Sequence, residues 1–229
     1  MARRRATATM RPAPARKLLA AAALILALAG ATQPAQADKQ NLVIGVGQFP
    51  TSFHPNIASH VVLSFIHGMT RRPFTVYDAD WKLICMLCTE LPDLDKGTAR
   101  NWTTPDGKPG LEVDYTIRPD AVWGDGVPVT TKDVMFTWQI GRNELSGVVG
   151  AELYRRIEEV VVHDDRRFTF RINKRTCDYE GINDFGVVPA HLEQAAAADP
   201  SQYRTRNVYD TDTTNPGLYF GPYRITRVE

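Results

Sequence analysis

"AVWGDGVPVTTKDVMFTW", residues 121–138, is the stretch whose reading decides the fold. Glycines on both sides of Asp125 suggest a phosphate loop, a metal loop or a tight turn. A phosphate loop needs several glycines, then a Lys-Ser/Thr pair opening a helix, and "GDGVPVTTK" lacks that order. A calcium loop needs acids at alternate positions and a closing glutamate, and only Asp125 fits. A turn is the better reading, because glycine accepts positive φ and Asp bonds its own backbone. Thr130 and Asp133 stand three apart, the spacing of a capping box. Val134, Phe136, Trp138 and Ile140 follow as an apolar-rich helix. Locally the order is strand, turn, capped helix, and no base or nucleophile is grouped there to carry catalysis.

Upstream, "LEVDYTIRPD" (111–120) alternates Leu111, Val113, Tyr115 and Ile117 with polar residues, the pattern of a half-buried strand. "NLVIGVG" (41–47) reads as a buried strand, and "QFPTSFHPN" after it as an irregular segment between prolines. "IASHVVLSFIHGMT" (57–70) reads as a helix with one apolar face, and "PFTVYD" as a short strand. "CTELPDLDKGTARNWTTPDGKPG" is polar and turn-rich, so a loop is expected. Downstream, Val160, Val162, Phe168, Phe170 and Ile172 mark a hairpin turning at His163-Asp164-Asp165, and "VVPAHLEQAAA" a helix begun at a proline. "NPGLYFGPYRITRVE" reads as a strand-like end. Strands and helices alternate without a repeat period, which points to an α/β or α+β domain.

The 229 residues carry 27 Lys and Arg against 26 Asp and Glu. Six of the basic residues, and no acid, fall in residues 1–37, which leaves 21 basic against 26 acidic in the remainder. A body with net charge −5 argues against non-specific nucleic-acid binding, which needs a basic face. Behind the basic start comes "LLAAAALILALAGA" (18–31), short for a bilayer span, and then Ala35-Gln36-Ala37. Residues 1–37 therefore read as a secretory signal peptide cut after Ala37, with an N-terminal membrane anchor as the rival reading. In an oxidising compartment Cys85 and Cys88, spaced C-x-x-C, suggest a disulfide, although Cys177 could pair with either. Free buried thiols, or redox or metal chemistry at Cys85 and Cys88, are the alternatives. A zinc site would need a fourth ligand at a recognisable spacing, and none is evident.

"DYTIRPDAVWGDGVPVTTKDVMFTW" (114–138) resembles the signature of the family 5 solute-binding proteins, the periplasmic peptide- and dipeptide-binding receptors of ABC importers. Tyr115, Arg118, Trp123, Asp125, Gly126, Pro128, Thr130, Asp133, Val134 and Trp138 match it, and "LVIGVGQFPTSFHPN", "VVPAHLE" and "NPGLYFGPYRI" resemble further family segments in the same order. The last departs from the family at Leu218-Tyr219-Phe220. The resemblance implies the first lobe of a type II-like periplasmic binding protein, a mixed sheet with flanking helices, over residues 38–229. A second lobe is expected to be absent, because the family is roughly twice this length. It implies a periplasmic receptor, not an enzyme, that delivers peptides or similar solutes to an ABC permease and ATPase in the inner membrane. The rival from another class is a secreted thiol-disulfide or metal-binding protein using Cys85 and Cys88. Carried over by position, Phe49, Pro50, Thr51, Ser52 and Phe53 line the ligand cleft. Trp123, Asp125, Gly126, Pro128, Thr130 and Asp133 are expected to be structural. His54, His60 and His67 raise the nickel or haem bound by some members, but their spacing suits partly buried helix residues as well, and no metal or other cofactor is assigned.

Overall fold

In the computed structural model, residues 41–229 are described. Residues 1–37, read in the sequence as a signal peptide, lie outside them. The chain divides at Gly45/Val46. Residues 41–45 carry no helix or strand, and Leu42 and Val43 are 83% and 90% exposed. The buried strand expected at 41–47 is therefore not formed among the described residues. A β-branched run becomes a strand only when a neighbouring strand takes up its backbone groups, and no strand among the described residues pairs with it.

The second unit, Val46–Glu229, holds every described element. Helix α1 (Val61–Thr70) leads to the short strands β1 (Thr75–Tyr77) and β2 (Leu83–Cys85), which pair with each other. A four-stranded sheet follows, built from β3 (Ala99–Thr103), β4 (Pro109–Thr116), β5 (Ile157–Val162) and β6 (Arg167–Ile172). Its order is β3-β4-β6-β5, and every pair is antiparallel. Hairpins account for that: β3 turns into β4 and β5 into β6 without a crossover helix. Helices α2 (Thr131–Arg142) and α3 (Ala151–Arg156) lie between β4 and β5 in sequence. After the sheet come α4 (Ala190–Glu193), α5 (Pro200–Arg206) and α6 (Val208–Thr211). Among the described residues no helix is long and apolar enough to cross a membrane.

Strand β3 falls in the stretch expected to be a polar loop. Its sequence, ARNWT, offers no apolar alternation, but its charged positions meet partners across the ladder. Arg100 lies opposite Glu112, and Asn101 opposite Leu111. The solvent face of the sheet is an ion network. Glu112 accepts from Arg100 Nε (2.6 Å) and from Arg171 Nε (2.8 Å), Arg100 also reaches Asp114 (2.6 Å), and Arg171 reaches Glu159 (2.6 Å).

The opposite face holds the core. Leu111, Val113, Tyr115, Phe168 and Phe170 are buried there. Phe74 and Phe185 close over them, with ring centroids 5.6 Å apart for Phe74 and Phe168 and 5.1 Å for Phe170 and Phe185. Rings at such spacings and tilts gain edge-to-face attraction beyond the area they remove from water. Trp138 on α2 ties the helix to the sheet through Nε1, which donates to Ile157 O at 2.9 Å. Cys85 and Cys88 are disulfide-bonded, with Cα atoms 5.2 Å apart, and Cys177 is exposed and free.

Candidate functional site

The opening stretch forms a junction of backbone segments. Gly126 sits at φ +89°, a conformation that glycine accepts without a Cβ penalty. Asp125 Oδ1 accepts from Val127 N at 3.1 Å, and Oδ2 meets His191 Nε2 at 2.8 Å. Pro128 bridges back to Val122. Gly124 N donates to Tyr219 O at 2.7 Å, so the 216–221 segment lies directly on the turn. A Cβ at Gly124 would strike Pro216 O and come within 2.9 Å of Tyr219 O. Trp123 is buried edge-to-face against Phe220, with centroids 4.5 Å apart.

Asp133 is the centre of this junction and is 3% exposed. Its Oδ2 accepts from Thr130 N at 2.8 Å, while the Thr130 hydroxyl caps the first turn of α2, completing a capping box. The same oxygen takes Trp123 Nε1 at 3.3 Å, and Oδ1 takes Ala190 N at 2.8 Å. Burial pushes the Asp133 carboxyl above its ordinary value against the pull of these three donors. The six signature positions Trp123, Asp125, Gly126, Pro128, Thr130 and Asp133 thus bind protein to protein.

The segment Phe49–Phe53 is held from behind. Ser52 Oγ donates to Asp210 Oδ2 at 2.6 Å, and Phe53 N donates to Asp210 Oδ1 at 2.7 Å. Asn207 steadies the same carboxylate through Nδ2 at 2.8 Å. His54 is fully buried. Its Nδ1 accepts from Asn56 N at 3.0 Å, so the proton sits on Nε2, which donates to the Tyr203 hydroxyl at 2.9 Å. Burial, with the His67 and Arg71 charges adding to it, lowers His54 to about 3. His67 donates from Nε2 to Phe53 O at 3.2 Å and is lowered to about 4, by burial and then by Arg71. Both imidazoles are neutral near pH 7. Beside Tyr203 lies Glu193, which is 0% exposed. Its Oε1 accepts from Val208 N at 3.0 Å and its Oε2 has no partner, so burial lifts the carboxyl to about 7.

Pro50 and Ser52 are buried, Phe53 is half-buried, and Phe49 and Thr51 face outward. Phe49 packs edge-on to Phe53 at 6.1 Å. Ser52 is fully committed to Asp210, which leaves Phe49 and Thr51 as the outward-facing side chains of the segment. The supporting residues Asp210, Tyr203 and Glu193 were not legible in the sequence. Only Asn207 carried a local signal, that of an N-cap before a short helix, where its side chain accepts from Asp210 N. His60 and His67 both line a cleft beside α1, and no group of three His, Cys, Asp or Glu suited to a metal occurs among the described residues.

The sequence profile of the bacterial extracellular solute-binding proteins, family 5 middle region, matches residues 94–229. The chain belongs to this family. The periplasmic oligopeptide-binding protein OppA of Haemophilus influenzae is 31% identical over 103 residues, which are 44% of this chain and 16% of that protein. A crystal structure of an oligopeptide-binding protein from Thermus thermophilus complexed with a pentapeptide superposes with a TM-score of 0.63 at 27% identity, covering 76% of this chain and 32% of that one. NikZ of Campylobacter jejuni, solved in complex with Ni(L-His), shares the fold, with a TM-score of 0.63 at 18% identity over 84% of this chain and 34% of its own. This family 5 chain therefore spans about a third or less of the proteins it matches. The α/β architecture with flanking helices is that of the family's solved structures.

Proposed function

We propose that this family 5 chain acts in a periplasmic receptor that binds peptides or similar solutes and presents them to an ABC permease and ATPase, without chemistry of its own. Residues 1–37 direct export and are removed after Ala37. Phe49–Phe53 lines part of the ligand cleft, with Phe49 and Thr51 as the contacting side chains and Pro50, Ser52 and Phe53 fixing their position. The observation that carries this reading is the anchoring of the segment: Asp210 holds Ser52 and Phe53 while His67 holds the Phe53 carbonyl. A binding segment held from behind loses less freedom when it meets ligand, which favours affinity. The family match and the peptide-binding relatives support the ligand class, and they lend no support to a thiol-disulfide or metal-binding role for Cys85 and Cys88.

Calorimetric titration of the full-length gene product with a peptide library, a sugar set and divalent metals tests this. Micromolar peptide binding is expected, and Phe49→Ala should weaken it about fivefold to tenfold, the loss of one partly buried aromatic contact. Binding by none of the three ligand sets, or peptide binding indifferent to both Phe49→Ala and Thr51→Ala, refutes the reading or the assignment respectively. N-terminal sequencing of the secreted protein should begin at Asp38.

A further inference from the structure

A cleft of about 800 Å3 lies between α1, α3 and the turn at 183–186. One wall is apolar, with Leu63, Val149 and Leu153. The polar groups of the cleft are incompletely satisfied. Arg71, at the C-terminal end of α1, brings its guanidinium inward over Gly186. There it makes no hydrogen bond and no ion pair with any described residue. Tyr154, Tyr209 and Asp184 are close enough to act on its charge, and burial works against that charge. The Tyr154 hydroxyl, on a residue 1% exposed, also lacks a hydrogen-bond partner. It lies against the Gly186 backbone, whose amide is already given to Asp184 O at 3.0 Å. His60 Nδ1, on the rim, is a second buried atom without a partner.

An unpaired buried donor such as the Tyr154 hydroxyl is costly, and the half-buried Arg71 guanidinium beside the cleft has no counter-ion in contact among the described residues. Arg71 and Tyr154 share one need, an acceptor bearing negative charge, and a planar guanidinium meets a carboxylate with two parallel hydrogen bonds. Asp184, the acid of the cleft, disfavours ligands with more than one negative charge. The apolar wall suits a short hydrocarbon tail.

We propose that this cleft binds a small organic monocarboxylate, held by the Arg71 guanidinium and the Tyr154 hydroxyl, with its alkyl end against Leu63 and Leu153. The site is distinct from Phe49–Phe53. His67 stands between them, lining the cleft while donating to Phe53 O, and the proposal does not depend on the receptor reading.

The test is thermal melting of the full-length protein in sodium butyrate, sodium phosphate and sodium chloride at equal ionic strength. A saturable rise in melting temperature with butyrate alone is expected. Arg71→Met should weaken the butyrate effect more than about tenfold, as loss of a charged partner does. Tyr154→Phe, which keeps the ring and the fold, should weaken it several-fold. Without ligand, Arg71→Met should melt no lower than the parent, since it removes a partnerless charge. A parent protein indifferent to butyrate, a response equalled by chloride, or a butyrate response unchanged in both variants overturns the proposal.

Discussion

Asp133 and Glu193 are both buried carboxylates on helices that pack behind the candidate site; burial raises both, Glu193 the further. Asp133 receives three donors, from Thr130 N, Trp123 Nε1 and Ala190 N. Glu193 has one bond of full geometry, from Val208 N, and its second oxygen has none, while the Tyr203 hydroxyl and the Tyr209 amide pull on the carboxyl from nearby. Three donors offset much of the cost of burying the Asp133 carboxyl, which burial still raises, and the group becomes a rivet between segments. At Glu193 burial outweighs its donors and lifts the carboxyl to about 7, and the group becomes a titrating element inside the fold.

The largest expected effect breaks the rivet. Asp133→Ala strands three donors and removes half of a capping box, and should cost about 3–4 kcal/mol in chemical denaturation. A loss below about 1 kcal/mol would mean that the three bonds do little. The next sharpens the contrast by pH. Glu193 is raised from 4.5 to about 7, so between those values the folded state holds more protons than the unfolded one. Glu193's own contribution to stability therefore falls as pH rises through that window, by about 3 kcal/mol in total. His54 and His67, lowered to about 3 and 4, act in the opposite sense. Their contribution is present above the unfolded value of 6.5 and is lost as pH falls. Denaturation midpoints should peak near about pH 6.5, and Glu193→Gln should abolish the decline above the peak while leaving the acid limb. An unchanged decline in Glu193→Gln would assign it elsewhere. Third, Gly124→Ala forces a Cβ onto the Pro216 and Tyr219 carbonyls and should cost about 2 kcal/mol, read from the same denaturation curves. The smallest effect is at the rim of the rivet, where His191→Ala removes a part-exposed contact to Asp125 and should change stability by less than about 1 kcal/mol.

The same pair shows how far the sequence could be read. The Thr130–Asp133 spacing is local, so the capping box and the helix after it were legible, as was the 160–172 hairpin from its alternation. That Asp133 also binds Ala190, 57 residues away, leaves no local trace. Glu193 stands in "HLEQAAA", a composition suited to a surface helix, and its burial follows only from how α4, α5 and α6 pack. β3 was missed because its partners supply the pattern its own residues lack. Residues 41–47 were over-read because β-branched composition announces a strand only when a neighbour accepts it. In the candidate site, position alone pointed to Phe49–Phe53, while Asp210, its main anchor, comes from more than 150 residues downstream.

The ion network on the sheet has a consequence for pairing errors. Glu112 has a cation on either side only when β3, β4 and β6 stand in their native alignment, with Arg100 and Arg171 both opposite it. A slip of one residue would turn Phe168 and Phe170 out to water and is excluded by the core. A slip of two keeps the faces correct, so the core alone does not reject it. It would, however, move Arg100 or Arg171 away from Glu112 and leave that half-buried carboxylate short of a counter-charge. The core checks parity and the charged face checks count, so the strands can be assembled only one way.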